Sequence, residues 1–391
     1  MKSMSSMNSG GCRFYKRAGH FLCYTTDTMD RVSQPKTLSP VTLEETRQRV
    51  DVVLKSFFKD RIHDATHIDR AYGDLWKASS KLSAAGGKRL RPYMTLLTYQ
   101  TMGGTQIDEI VPIAAALELL HLGLLVHDDI IDRDYIRYGV ANISGIYNEL
   151  YEPFIKDVPE RQHFSDSAAI LAGDLLLFGG HDLLLTSTLP AEKVRIAAKI
   201  FNNAVFVVAG GELLDTESGF RPYGSIDALT VARYKTAHYS FVTPLLMGAR
   251  MANCSDTMCN KLEEFGINLG IGYQLVDDLL GVFGTESVTG KSAINDLREG
   301  KHTYLIEQFR KLASSAQLEK FEQLFGSDTL SEQGAQDLRK LLVESGAKQS
   351  VDLLVDTYMS RTLQTLKDVE IDDIYKKQFE TLVGVALKRV F

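Results

Sequence analysis

Apolar residues recur at three- and four-residue spacing along most of this chain, beginning near residue 41. This spacing places apolar side chains on one face of a helix, whereas the alternating patterns that predict strands are scarce. The periodic segments are 50–58, 92–101, 110–126, 167–186, 191–209, 226–251, 258–283, 303–312, 335–344 and 350–367. Because these segments follow one another in a single block, the pattern predicts an all-α fold, one large helical bundle over residues 34–391.

Residues 1–33 differ from the rest of the chain. They are rich in Ser, Thr, Met and Gly and contain no acidic residue before Asp27. This composition is compatible with a disordered tail, with an upstream start whose true first residue is Met29, or with a targeting peptide. The helical pattern begins after them at Thr42, and Glu45 three residues later predicts a capping box.

A second irregular stretch, residues 140–165, is less periodic and richer in polar and aromatic residues. We interpret it as an inserted loop or a set of short helices. Glycine and proline fall mostly between the periodic segments, as expected for helix boundaries.

Composition narrows the possible partners and locations. The 391 residues carry a net charge of −6 and no long basic run, so a nucleic-acid partner is not expected. The four cysteines show no metal-binding spacing, which fits a reducing compartment. No uninterrupted apolar run reaches the roughly 18 residues needed to span a bilayer, so no transmembrane segment is expected. We expect a cytoplasmic protein, with organelle targeting through residues 1–33 as the alternative.

Two aspartate clusters interrupt otherwise apolar helical segments. The first is His127-Asp128-Asp129-Ile130-Ile131-Asp132, and the second contains Asp277-Asp278. Residues i and i+4 share a helix face, so Asp128 and Asp132 point the same way with Asp129 beside them. Two such faces meeting in the bundle core would surround one central cavity with carboxylates, which only positive charge makes tolerable. Oxygen ligands of this kind suit Mg²⁺, and the clusters predict a helical enzyme that binds a diphosphate through magnesium.

Basic residues accompany these clusters. Residues 86–92, GGKRLRP, combine a flexible turn with three cations, and lysine and arginine suit phosphate oxygens. Lys235 lies in an apolar helical segment, and Lys291 and Lys301 follow the second cluster. Taken singly, such residues are more often solvated turns or lysines whose ammonium reaches the surface. His121, two helical turns before Asp128, could equally be a core histidine bonded to a backbone carbonyl.

In this order the motifs GGKRLRP, Glu118 and His121, HDDIID, Gly173-Asp174, YKTA, YQLVDD and GK…EGK resemble those of the trans-isoprenyl diphosphate synthases. The resemblance covers residues 84 to 304 and is closest to the geranylgeranyl diphosphate synthase type. It implies an all-α bundle in which two aspartate motifs on antiparallel helices hold three Mg²⁺ ions, for which Mn²⁺ can substitute. It also implies a homodimer that condenses isopentenyl diphosphate with an allylic diphosphate.

The resemblance assigns roles to individual residues. The implied metal ligands are Asp128, Asp129, Asp132, Asp277 and Asp278. The implied ligands of the allylic diphosphate are Arg137, Lys235, Lys291 and Lys301. Those of isopentenyl diphosphate are Gly87, Lys88, Arg91 and His121, with Tyr138 where relatives carry a second arginine. Thr236 and Gln274 are expected to act with Lys235 in catalysis, by placing dipoles near the developing carbocation.

Two departures from the family pattern bear on the activity. Gly281 stands where the second motif usually ends in a third aspartate, and glycine cannot bind a metal ion. Tyr138 lacks the charge of the missing arginine, so weaker binding of isopentenyl diphosphate is expected.

The family also places the determinants of product length shortly before Asp128. Short-chain synthases carry a bulky aromatic residue near this position, where this chain has Gly123 and Leu124, with Leu120 one turn earlier. Glycine leaves the path open, which predicts a product of C20 or longer.

Two other functions fit part of the pattern. A terpene cyclase shares the first motif but would carry a glutamate where this chain has Thr285, and it has no use for the basic turn. A non-catalytic partner subunit of a heteromeric synthase would explain Gly281 and Tyr138. The five aspartates and the complete set of lysines argue against it.

Overall fold

A computed structural model of the chain describes residues 12–17, 20–25, 39–284 and 294–387. The chain divides into two compact units, Met1–Ser39 and Pro40–Phe391. In the first unit, strands β1 (Cys12–Arg17) and β2 (His20–Thr25) pair antiparallel. The described part of the second unit is almost entirely helical, and the prediction of an all-α bundle is confirmed.

The helices are named here in chain order. They are α1 (Leu43–Ile68), α2 (Arg70–Ala85), α3 (Leu90–Thr101), α4 (Ile107–Ile131), α5 (Ile143–Tyr151), α6 (Val158–Leu185), α7 (Ala191–Ser218), α8 (Ala228–Val231), a π-helix (Ala232–Val242), α9 (Thr243–Met251), α10 (Asp256–Phe283), α11 (Asn295–Glu299), α12 (Tyr304–Leu312), α13 (Ser315–Glu322), α14 (Glu332–Glu344), α15 (Ala347–Lys367) and α16 (Asp373–Leu387). Helix α1 starts as predicted: the Thr42 side chain accepts from the Glu45 amide at 3.1 Å, and Glu45 accepts from the Thr42 amide at 2.9 Å.

Helix α4 forms the centre of the larger hydrophobic core. Its side chains at Ile110, Ile113, Leu117 and Leu120 are at most 1% exposed, and they pack with residues of α3, α6, α7 and α9. Such an all-round apolar helix is expected where neighbours cover every face. The N-terminal half of α10 joins this core, while its C-terminal half packs in a second core with α12, α14 and α15. Each aspartate cluster is thus carried by a helix anchored in apolar packing.

The irregular stretch 140–165 folds largely as helix. Strands β3 (Ile136–Arg137) and β4 (Val140–Ala141) form a two-residue hairpin whose turn, Tyr138-Gly139, has positive φ angles of 54° and 73°. Asn142 caps α5, which packs on α6. The first residues of α6 complete the stretch, so the interpretation as short helices describes it better than a loop.

The YKTA motif lies within the π-helix, between α7 and α10. A Cβ atom on Gly211 of α7 would lie 2.2 Å from the Lys235 backbone nitrogen, and one on Gly270 of α10 would lie 2.4 Å from the Ala237 Cα atom. Only glycine permits such close backbone approach on both sides. The widened turn and its two glycine neighbours together position Lys235 and Thr236, which is consistent with the frequent location of π-turns at functional sites.

Candidate active site

The first aspartate cluster lies at the C-terminal end of α4. Arg137 on β3 donates from Nε to Asp129 Oδ1 at 2.7 Å and from Nη2 to Asp128 Oδ2 at 3.2 Å. Asp129 is 2% exposed, and its Oδ2 atom has no hydrogen-bond partner among the described residues. A buried carboxylate oxygen without a donor is costly, so this atom is a candidate metal ligand.

Lys235 connects this cluster to two further acids. Its Nζ atom lies 2.6 Å from Asp215 Oδ2, 3.0 Å from Glu212 Oε2 and 3.6 Å from Asp128 Oδ1. Burial alone would lower the pKa of Lys235, but the charges of Asp215, Asp128 and Glu212 outweigh burial and raise it. Lys235 therefore stays protonated, as a ligand of phosphate oxygens must.

Glu212 and Asp215 were not predicted from the sequence. They lie three residues apart on α7 and share the face that meets the π-helix. Their i, i+3 spacing was the available signal. Much of the rest of α7 is exposed, so the sequence pattern of this helix suggested that the two acidic side chains were on a solvent-exposed face.

The second cluster lies on α10 and is connected to Thr236. The Thr236 hydroxyl donates to the Gln274 carbonyl oxygen, and Gln274 Nε2 donates to Asp278 Oδ1 at 2.8 Å. The predicted juxtaposition of Thr236 and Gln274 is thus present, and it extends to a metal-ligand candidate. Asp277, the neighbouring carboxylate, is exposed.

Lys301 lies between the first cluster and α11. Its Nζ atom is 3.2 Å from Asp132 Oδ2, 3.1 Å from Glu299 Oε2 and 3.9 Å from Asp296 Oδ1. These carboxylates outweigh the effect of burial and raise the pKa of Lys301. Lys291, the other lysine predicted here, falls outside the residues that the structure describes.

A separate group of polar residues lies next to the basic turn. Arg91 donates from Nη2 to Ser240 Oγ at 2.7 Å and to the Tyr239 hydroxyl at 3.1 Å, and its guanidinium carbon lies 4.7 Å from the Tyr239 ring centroid. The same hydroxyl lies 3.5 Å from His121 Nδ1. Burial and the nearby Arg91 charge lower the pKa of His121 well below its usual range. Sequence reasoning predicted Arg91 and His121 here and missed Tyr239 and Ser240.

The basic turn itself is anchored by Arg89, to which no role was assigned. Arg89 donates to Glu118 Oε1 at 2.7 Å and to Asp51 Oδ1 at 3.0 Å, and it is 7% exposed. Gly87 has a φ of 101°, and Gly87 and Lys88 are exposed at the surface of the turn. The turn therefore exposes Lys88 to solvent, while the contacts of Arg89 hold the backbone of the turn in place.

Tyr138 lies against this turn. A Cβ atom on Gly86 would lie 2.5 Å from the Tyr138 ring, so the ring packs directly on the backbone of the turn. The side chain is 41% exposed. Tyr138 is thus beside the residues expected to bind isopentenyl diphosphate, where it offers a hydroxyl and no charge.

The three residues expected to control product length lie on α4. Leu120 is 1% exposed, and Leu124 is half-buried. A Cβ atom on Gly123 would lie 3.0 Å from the Gly173 carbonyl oxygen and 3.1 Å from Leu177 Cδ2. Gly123 therefore lies in close contact with α6, and its role in product length stays a prediction.

Burial raises the pKa values of several carboxyl groups of the site, Asp132 and Glu299 among them. Burial raises the pKa of Asp278 to about 8, that of Glu212 to about 7 and that of Asp129 to about 6. Each group binds protons more readily than in water because its negative charge is only partly compensated. A divalent cation would supply the missing compensation.

The donor set fits magnesium. It consists of carboxylate oxygens, and one of them, Asp129 Oδ2, is buried without a donor. Within the described ranges no three acidic, histidine or cysteine side chains converge into a complete metal cage. Magnesium usually binds one or two carboxylates and completes its shell with water and substrate phosphates.

We expect Asp278→Asn to stabilise the metal-free protein, and more so at pH 8 than at pH 5. The native carboxyl has a pKa of about 8, while that of the unfolded chain is near 3.8. Between these values the native state binds more protons, so the free energy of unfolding falls as pH rises. Asparagine does not titrate and still accepts from Gln274, so we expect a gain of roughly 1–3 kcal/mol at pH 8.

Urea unfolding in the presence of EDTA at both pH values measures this gain. Asp108→Asn is the control, because its side chain is 89% exposed in the first turn of a different helix, α4. Equal gains at the two pH values, or a loss at pH 8, would contradict the conclusion that burial raises the pKa of Asp278.

The comparisons with known proteins agree with this site. The family model described as polyprenyl synthetase matches residues 74–342. The chain belongs to this family. It is 32% identical over 313 residues to the geranylfarnesyl diphosphate synthase of Aeropyrum pernix, covering 78% of this chain and 91% of that one. It is 30% identical over 346 residues to the geranylgeranyl diphosphate synthase of Sulfolobus acidocaldarius, covering 85% and 98%.

Solved structures lead to the same family. The crystal structure of geranylgeranyl pyrophosphate synthase from Corynebacterium glutamicum, complexed with isoprenyl diphosphate and magnesium, superposes with a TM-score of 0.84. It is 29% identical and covers 90% of this chain and 100% of its own. The family resemblance drawn from the motifs is confirmed, and with it the prediction of a prenyltransferase.

Proposed function

We propose that this polyprenyl synthetase condenses isopentenyl diphosphate with an allylic diphosphate to give a trans-polyprenyl diphosphate of C20 or longer. The observation that carries the proposal is the position of Lys235. Its ammonium lies within 3.6 Å of Asp128 and contacts Glu212 and Asp215. Aspartates next to buried cations suit a metal–diphosphate complex, because the carboxylates bind the metal ions and the cations bind the phosphate oxygens.

Magnesium would be held by the two aspartate clusters. Asp128, Asp129 and Asp132 would bind it from α4, and Asp277 and Asp278 from α10. When bound, it supplies Lewis-acid stabilisation of the leaving diphosphate. The presence of three ions and the substitution by Mn²⁺ are parts of the proposal that rest on the family resemblance.

The chain's own cations act on the allylic diphosphate. Lys235, Lys301 and Arg137 are fixed by the carboxylates that they contact, so little reorganisation is needed when the C–O bond breaks. Lys291 is proposed to act with them. Thr236 and Gln274 form a hydrogen-bonded pair beside Asp278, and their dipoles would stabilise the allylic carbon as it becomes positive.

The second substrate binds at the basic turn. Lys88 and Gly87 are exposed, and Arg91 is oriented by Tyr239 and Ser240. These groups and His121 would hold the diphosphate of isopentenyl diphosphate, so that its double bond lies next to the allylic cation. Holding two reactants side by side supplies much of the acceleration. No side-chain nucleophile is required, and a proton is lost to the departing diphosphate.

The proposed product length has two supports. The relatives named above include synthases of geranylgeranyl and geranylfarnesyl diphosphate. The second is the family resemblance, because short-chain synthases carry a bulky aromatic residue near the position where this chain has Gly123. The two alternatives, a terpene cyclase and a non-catalytic partner subunit, predict no elongation by the purified chain alone, so a steady-state assay of that chain tests all three.

Two neighbouring helices present apolar residues to solvent. On α6, Leu171, Phe178 and Leu185 are 59%, 74% and 67% exposed, and on α7, Phe206 and Leu213 are 80% and 63% exposed. The residues of each row are seven apart, which places them on one helix face. Exposed apolar area of this kind is typical of an interface, and we propose that a second copy of the chain covers it.

Three helices bear on the expectation that the chain has no transmembrane segment, which stays a prediction. By length and composition alone, α4, α6 and α7 could cross a membrane, because isolated polar residues do not prevent a window of 18 residues from being apolar. The α4 window is 72% buried within the fold, whereas those of α6 and α7 are 44% and 28% buried. A dimer would cover the latter two. Cytoplasmic location stays a proposal, with organelle targeting as the alternative.

We expect the purified chain to sediment at twice its mass of 43.5 kDa. Phe206→Glu should shift it to the monomer, because a charge in a buried apolar contact is not compensated. Ile68→Glu is the control, since Ile68 is 75% exposed on α1. A wild-type monomer, or a chain that sediments only with lipid or detergent, would overturn the assignment of this face.

A further inference from the structure

Gly281 leaves the second aspartate cluster one carboxylate short. It follows Asp277 by four residues on α10, so a side chain at 281 would share the face of Asp277. Glycine provides no ligand, and this helix alone offers Asp277 and Asp278. A third carboxylate therefore has to come from another element.

The space beside Gly281 is filled by Asp296. A Cβ atom on Gly281 would lie 1.8 Å from Asp296 Oδ2 and 2.9 Å from Asp296 Cγ. A non-bonded Cβ atom does not approach another heavy atom this closely, so the Asp296 carboxylate occupies the volume that a side chain at 281 would fill. Asp296 belongs to α11, which lies beyond the segment joining it to α10.

Asp296 is also oriented toward the site. Its Oδ1 atom lies 3.9 Å from Lys301 Nζ, and its carbonyl oxygen accepts from the Lys301 amide at 3.1 Å. Lys301 in turn reaches Asp132 of the first cluster at 3.2 Å.

We propose that Asp296 supplies the third carboxylate of the second cluster, from α11 instead of α10. Gly281 is then a requirement of the arrangement, because any side chain there would displace the Asp296 carboxylate. The inference rests on the proposed function, in that it assigns Asp296 to the magnesium ions of that site. It removes the reason for regarding Gly281 as a sign of lost activity.

The competing role for Asp296 is an ion pair with Lys301 alone. Glu299 separates the two roles, because it contacts the same lysine more closely, at 3.1 Å. Its side chain is 30% exposed, and that of Asp296 is 28% exposed. Glu299→Gln therefore removes a matched carboxylate from Lys301 without removing the one beside Gly281.

Manganese binding measured by electron paramagnetic resonance tests the proposal. Full-length protein is titrated with Mn²⁺ in the presence of inorganic diphosphate, so the readout does not depend on turnover. We expect Asp296→Asn to weaken the tightest Mn²⁺ binding by about tenfold or more, whereas Glu299→Gln stays within about twofold. Gly281→Ala should resemble Asp296→Asn, and Gly384→Ala, at a helical glycine with open space around it, should not.

A double variant provides the positive test. Gly281→Asp combined with Asp296→Ala returns the carboxylate to α10 and should recover most of the affinity lost in Asp296→Asn. Wild-type affinity in Asp296→Asn, or equal losses in Asp296→Asn and Glu299→Gln, would overturn the proposal. A prenyl-transfer assay of the wild type is run in parallel. If that assay fails while Mn²⁺ binding still depends on Asp296, the proposed function is wrong and this assignment stands.

Discussion

Asp128→Ala should reduce kcat by about 10³-fold or more while leaving the helical fold intact. Asp128 lies 3.6 Å from Lys235 and 3.2 Å from Arg137, so it is next to two of the cations proposed to bind the allylic diphosphate. Its loss removes a metal ligand at the point where negative charge develops on the leaving group. The remaining cations cannot replace that ion, because Lys235 and Arg137 already contact the diphosphate in the proposed complex and supply no further positive charge.

Steady-state kinetics and circular dichroism of the purified variant measure the two parts of this expectation. Asp108→Ala is the matched control, because it removes a carboxylate from the first turn of the same helix, where the side chain is 89% exposed. If Asp128→Ala kept kcat within about tenfold of the wild-type value, with unchanged helicity, the assignment of Asp128 as a metal ligand would be wrong.

Lys235→Ala and Lys88→Ala should separate the two diphosphate sites. Lys235 is buried among carboxylates and would stabilise the leaving group in the transition state, so its loss should lower kcat by about 10²-fold or more. Lys88 is exposed on the basic turn, so its loss should mainly raise the KM for isopentenyl diphosphate. The prediction is a split between kcat and KM, which a general loss of stability would not produce.

The measurement varies each substrate separately at saturating concentration of the other. Thermal unfolding of both variants serves as the control, because removing Lys235 leaves Glu212 and Asp215 without their shared partner. If the two variants gave identical kinetic profiles, the division of roles between the two sites would be wrong.

The sequence was sufficient to predict an element wherever one local rule determines its structure. The capping box at Thr42 and Glu45 follows from a four-residue pattern, and it is present in the structure. The periodic apolar residues of α4 and α10 predicted both helices that carry the aspartate clusters. The membership of Thr236 and Gln274 in one site was predicted from the family resemblance, and the hydrogen bond between them is observed.

Other elements depend on packing that no local pattern reveals. Helix α2 buries residues at helical spacing, but several of them, such as Ser79 and Ser83, are not apolar, so it was missed. The π-helix forms where the backbones of α7 and α10 approach through Gly211 and Gly270, which is a tertiary contact. Asp296 was missed for the same reason, because its position beside Gly281 joins two helices across a connecting segment.

The measurement that tests the central claim most directly is a product analysis of the purified full-length chain. The chain is incubated with Mg²⁺, labelled isopentenyl diphosphate and each allylic primer in turn, and the products are separated by chromatography. The account predicts magnesium-dependent incorporation of the label into linear prenyl diphosphates of C20 or longer, abolished by Asp128→Ala. No incorporation with any primer, or release of a cyclic hydrocarbon from the primer alone, would contradict it.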